Sequence, residues 1–133
     1  MKRNTDLALL LLRLMLAGTL LFHGIPKILH LAPTIGFMQN IEAPVPALTT
    51  AFVIVAEVGG GLLLLLGLWV VPAGLLVVAD MIGAIFLVHL KNGFNFLNQG
   101  IEFPLTVLVV SLALVLAGPG RYALGRRGAG AAG

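Results

Sequence analysis

Four long apolar runs constrain this chain more than any other feature: Leu7 to about Leu29, about Leu48 to Trp69, about Val71 to Leu90, and about Ile101 to Ala117. A helix needs about 20 apolar residues to cross a hydrocarbon core roughly 30 Å thick, and each run is of that order. Backbone amides in hydrocarbon must be paired within their own segment, so runs of this kind are read as helices. Barrel strands would be shorter and would alternate apolar with polar residues, which these runs do not. Hydrophobic residues occupy 59% of the 133 positions and charged residues 10%, more apolar content than one soluble core of this size can use. The expectation is therefore an all-α integral membrane protein, a four-transmembrane-helix bundle in residues 1–120, in contact with the lipid bilayer. A basic, Gly/Ala-rich cytoplasmic tail follows in residues 121–133, its Gly/Ala end expected to be disordered.

The connections are short. His30 to Ala47 carries Pro33, Gly36, Asn40, Pro44 and Pro46 and reads as a loop, with one short helical turn around Phe37 to Ile41. The second and third runs meet at Val71-Pro72 with no polar linker; proline fits the first turn of a helix, so a tight hairpin is expected there. Lys91 to Gly100 mixes turn residues with Phe94 and Phe96, as loops at headgroup level do. Gly118-Pro119-Gly120 stops the last helix. Lys2, Arg3, Arg121, Arg126 and Arg127 outnumber Lys27 and Lys91 on the other side, which places both termini in the cytoplasm and the chain in the inner membrane. That distribution accounts for the net charge of +3 without a nucleic-acid partner. Arg13 within the first run, and the lack of a small-residue cleavage site after it, favour a span over a cleaved signal peptide. The chain has no cysteine, which excludes disulfides, thiolate nucleophiles and iron–sulfur ligation.

Arg13, Glu57 and Asp80 lie inside spans, where an ionised side chain costs at least about 2.5–3.5 kcal/mol. They must face the bundle interior or find partners, and Arg13 with Asp80 is the expected structural ion pair. At the opposite level stand His23 and Lys27, four residues apart on one face with Gly24 beside them, together with His89, Lys91 and Glu102. A pocket is expected here, with Glu57 as its polar floor and Gly59-Gly60-Gly61 admitting a flat ligand. His89 falls about 180° from Asp80 on an ideal helix, so only a kink or a helix end would turn both inward. The competing reading is that Arg13–Asp80 and Lys27–Glu102 are neutralising pairs that fix helix order and nothing more. His23, His30 and His89 form no metal- or haem-binding motif, so neither group is expected.

The ordered set Leu11-Leu12-Arg13, His23-Gly24-Ile25-Pro26-Lys27, Glu57-Val58-Gly59-Gly60, Asp80 through His89, Asn92-Gly93-Phe94, Gly100-Ile101-Glu102 and Gly118-Pro119-Gly120-Arg121-Tyr122 resembles the DoxX family of small bacterial and archaeal membrane proteins. Pro26 departs from the pattern, standing where a polar residue such as Gln precedes the lysine. The resemblance implies a four-helix protein of the inner membrane. It also implies a link to membrane-associated redox complexes, since the family is named after a subunit of a thiosulfate:quinone oxidoreductase. The matching residues are Arg13, His23, Lys27, Glu57, Asp80, His89 and Glu102. Three functions stay open. In the first, a quinone lies against Gly24, Gly60, Lys27 and Glu102 while Glu57 with His23 or His89 exchanges protons, and another oxidoreductase subunit carries the electrons, so that this chain is accessory and not catalytic alone. In the second the chain is a non-catalytic scaffold or partner subunit. In the third it is a proton-coupled or solute-permeation protein that acts as a homo-oligomer.

Overall fold

A computed structural model describes residues 4–125; Lys2, Arg3, Arg126, Arg127 and the rest of the Gly/Ala tail lie outside the described residues. Among the described residues all regular structure is helical. Helix α1 runs Thr5–Leu29, α2 Leu31–Asn40, α3 Pro46–Leu66, α4 Val70–Asn92 and α5 Glu102–Ala117. Three of these, α1, α3 and α4, are long and apolar enough to cross a membrane. The 16 residues of α5 are equally apolar but span only about 24 Å at 1.5 Å per residue.

Local chemistry sets the helix ends. Asn4 accepts a hydrogen bond from the Leu7 amide at 3.0 Å and so caps α1, with Asp6 in the first turn and Lys27 in the last, both favourable to the helix dipole. Pro46 opens α3, and Gly67, at φ 71°, closes it in the left-handed conformation. The hairpin lies earlier than the expected Val71-Pro72: the turn is Gly67-Leu68-Trp69, inside the second apolar run, and Pro72 falls in the first turn of α4. Gly118, at φ 82°, ends α5.

Two helices are interrupted by π-helical turns, Val55–Gly59 in α3 and Ile85–His89 in α4. The segment read from sequence as a loop is corrected: Leu31–Asn40 is a helix of ten residues, and only residues 41–45 connect it to α3. Pro33 lies in its first turn, where a missing amide hydrogen costs nothing, and Met38 is buried against the bundle. Burial of that one face outweighs the weak helix propensity of Gly36 and Asn40.

Helices α1, α3, α4 and α5 close a ring in which α1 packs on α3 and α5, α3 on α4, and α4 on α5, while α2 packs against α1 and α3. Leu9, Leu16, Ala17 and Leu20 of α1 meet Leu64, Val70, Ala73, Val77, Met81, Val107 and Leu114 in the core. The outward faces are apolar too: Met15 is 72% exposed, Phe22 76% and Leu116 82%. A protein apolar on both faces has lipid for its solvent, and this chain is a membrane protein.

The chain after α5 does not leave the bundle at residue 120. Leu124 and Gly125 donate backbone hydrogen bonds to the carbonyls of Leu66 and Gly67, both at 3.1 Å, and Ala123 is buried. The Arg121 amide donates to Asp6 Oδ1 at 2.8 Å, so the two described ends of the chain meet.

Candidate functional site

At the end of the bundle away from that meeting point, α1, α3, α4 and α5 enclose a cavity of about 310 Å³, with α2 closing over it. His23 and Lys27 come from α1, Glu57 from the π-turn of α3, Asp80 and His89 from α4, Phe103 from α5, and Phe37, Met38 and Ile41 from α2 and the residue after it. Thr19, Thr49 and Gln99 add polar groups, and the rest of the wall is apolar.

Lys27 folds toward α3. Its Nζ stands 2.6 Å from Glu57 Oε2 and donates a second hydrogen bond to the His23 carbonyl at 3.0 Å. Glu57 is buried, and the small residues around it are what let α1 come this close: a Cβ on Gly24 would sit 2.8 Å from both Glu57 Cβ and Val58 Cγ2. Gly24 is therefore a helix-crossing residue. Gly60 likewise packs on Val77, at 3.2 Å from where its Cβ would be, and neither glycine lines the cavity.

Asp80 is 4% exposed, and its Oδ2 is enclosed without a hydrogen-bond partner. The expected pair with Arg13 is corrected. Arg13, 1% exposed, donates to the Leu64 carbonyl at 3.1 Å and the Tyr122 carbonyl at 2.7 Å, at the other end of the bundle. Orphan carbonyls at a helix end and in the returning chain took the guanidinium, a choice that depth along a helix does not reveal. The alternative pair of Lys27 with Glu102 is also absent: Glu102 Oε2 instead accepts from the Phe96 amide at 3.0 Å and closes the loop between α4 and α5. A second, shallower recess beside that loop is lined by His89, Glu102 and Phe103.

His89 reaches the cavity together with Asp80 because the π-turn Ile85–His89 takes up one extra residue and resets the helical phase by about 100°. Its Nδ1 lies 2.7 Å from the Gln99 carbonyl, which can only accept, so Nδ1 carries the hydrogen. His23 has its ring centroid 5.1 Å from that of Phe103, both lining the cavity, and 5.5 Å from that of Phe22, which points away from it. Phe37, Phe52 and Phe103, each about two-fifths exposed (46%, 40% and 42%), join the cavity to the outer surface of the bundle. Sequence reasoning missed the α2 residues of this site; the signal available was the apolar pair Phe37-Met38 with Ile41 one turn on. Among the described residues no three His, Asp or Glu side chains draw close enough to share a metal ion.

The family described as DoxX matches this chain over residues 8–90, a stretch that contains Arg13, His23, Gly24, Lys27, Glu57, Gly60, Asp80 and His89 but not Glu102. The chain is also 34% identical over 119 residues, covering 89% of its own length and 84% of the relative, to a protein of Bacillus subtilis (strain 168) named "Putative oxidoreductase CatD". No solved structure matches the chain.

Proposed function

The chain belongs to the DoxX family, and from that premise we propose that it is a four-span inner-membrane subunit of an oxidoreductase complex, with a cavity that takes the ring of a quinone. The observation that carries this reading is the cavity itself: apolar walls, a carboxylate–ammonium pair and a second carboxyl inside, and an aromatic rim at the lipid-facing surface. A volume of about 310 Å³ lies at the lower end of the usual range for small-molecule sites, enough for a ring whose tail runs out past the rim. A bound quinone supplies two-electron, two-proton redox chemistry. Lys27 and Glu57 fix a local charge pair against which one ring oxygen orients, His23 and Phe103 offer the stacking face, and Asp80 and His89 are the groups free to hold or pass a proton. With no cysteine the chain has no thiol or iron–sulfur ligation of its own, so electrons pass to or from another subunit. The name of the Bacillus subtilis relative supports the same association.

The test is extraction of small molecules from the full chain purified in mild detergent, for wild type, Glu57→Gln and Lys27→Ala, read by mass spectrometry. The expected outcome is a quinone near stoichiometric with wild type and depleted several-fold in both variants. Bulk phospholipid alone, equal in all three, would instead favour the scaffold reading, in which the pair serves only to lock helices.

A further inference from the structure

The hydrogen-bonding groups of the cavity are unevenly spent. Two of the three Lys27 hydrogens go to Glu57 Oε2 and the His23 carbonyl. The hydroxyl of Thr49 donates to the Pro44 carbonyl, and His89 Nδ1 donates to the Gln99 carbonyl. Donors are thus turned onto the chain's own carbonyls. What these bonds leave unmet is the Asp80 carboxyl, which no hydrogen bond or ion pair among the described residues reaches; one Lys27 hydrogen and the His23 ring remain as the donors beside it. Thr19 and Gln99 can both donate and accept and do not decide the balance.

A buried carboxyl with an enclosed, unbonded oxygen costs free energy until a donor meets it. A ring hydroxyl can serve Asp80 in either protonation state: it donates to a carboxylate, and it both donates to and accepts from a carboxylic acid. A quinone carbonyl accepts only, so it serves the acid and opposes the carboxylate. We infer that the cavity selects the reduced, hydroxyl-bearing ring over the oxidised one, with Asp80 as the residue that determines this specificity. The inference rests on the ring-binding reading above and adds to it the form of ring and the residue that reads it. It also moves the ligand-facing role from Glu57, which Lys27 holds, to Asp80.

The experiment is equilibrium dialysis of the full chain in mild detergent, under anaerobic conditions, against a short-tailed benzoquinone and the same compound reduced to its quinol. At a pH where Asp80 is ionised, wild type is expected to bind the quinol at least about tenfold more tightly, the least that one hydrogen bond to a charged group amounts to. In Asp80→Asn, of the same shape, the amide offers a donor as well as an acceptor, and the ratio is expected to fall to near one, chiefly through tighter binding of the quinone. Equal affinity of wild type for the two forms overturns the inference and leaves ring binding standing. So does a preference that survives in Asp80→Asn with an unchanged melting temperature. Binding of neither form overturns ring binding and this inference together. Should Asp80→Asn not fold, the wild-type ratio decides alone.

Discussion

Lys27 and Glu57 hold one another 2.6 Å apart with the Glu57 side chain 8% exposed and that of Lys27 26%. In so apolar a setting each charge is tolerable because of the other, and removing one leaves the second without compensation. Lys27→Met is therefore expected to destabilise the bundle by about 2–3 kcal/mol, somewhat below the loss for a fully buried pair because the ammonium is partly open. Glu57→Gln added to Lys27→Met should recover most of that loss, since an amide needs no counter-charge. Denaturant unfolding in detergent of both single variants and the double measures the coupling; strictly additive losses would show that the two side chains act independently. How much of this was legible in sequence depends on geometry. Heights along helices put Lys27 about two turns above Glu57, with Asp80 near the depth of Glu57, whereas Lys27 meets Glu57 directly at 2.6 Å. Which carboxylate Lys27 takes, and that Arg13 takes none, depends on the rotation of each helix and on the path of the returning chain, neither of which one sequence encodes locally.

The elements that carry the site are the irregular ones. Both π-turns line the cavity, one presenting Glu57 and the other His89, and each widens its helix by one residue. Sequence periodicity assumes 100° per residue throughout, which is why it set His89 opposite Asp80; the extra residue brings the two to about 80° of one another. The apolar runs, the hairpin before Pro72 and the stop at Gly118 were all legible, because each depends on composition or on one glycine or proline. A π-turn depends on packing on both sides and leaves no such mark. Removing Leu87, inside the π-turn, should restore a regular α-helix and keep the bundle folded, whereas removing Val78, in the regular part of α4, rotates everything beyond it by about 100° and should abolish folding. Folded yield after size-exclusion chromatography separates them. Equal damage from both deletions would mean that the turn at Ile85–His89 holds no surplus residue.

Over the whole molecule, the two ends of the bundle differ in kind. One gathers the chain ends and the hairpin: Arg121 meets Asp6, Leu124 meets Leu66, and Arg13 joins the Leu64 and Tyr122 carbonyls. Trp69 and Tyr122, 76% and 52% exposed, stand there as interfacial aromatics do, together with Arg13 and Arg121. The other end carries α2, the loop from Gly93 to Ile101 and the cavity. If α5 spans despite its 16 residues, the two ends of the chain lie on one side of the membrane; if it does not, the chain crosses three times and Leu124 lies on the side of Lys91. The contacts of Leu124 with Leu66 and of Arg121 with Asp6 favour the even count, since a three-span chain could not make them within one monomer. A short helix can be accommodated by local thinning of the bilayer at a fraction of a kcal/mol per Å. Because the chain has no cysteine, single substitutions give an unambiguous reading. Thr5→Cys and Leu124→Cys should react with a membrane-impermeant maleimide only in inside-out vesicles, and Gln39→Cys and Lys91→Cys only in intact spheroplasts. Labelling of Leu124→Cys from the Lys91 side would reduce the spans to three and separate the Arg13 contacts from the folded state in the membrane, whereas the expected pattern places the cavity and its aromatic rim in the outer leaflet.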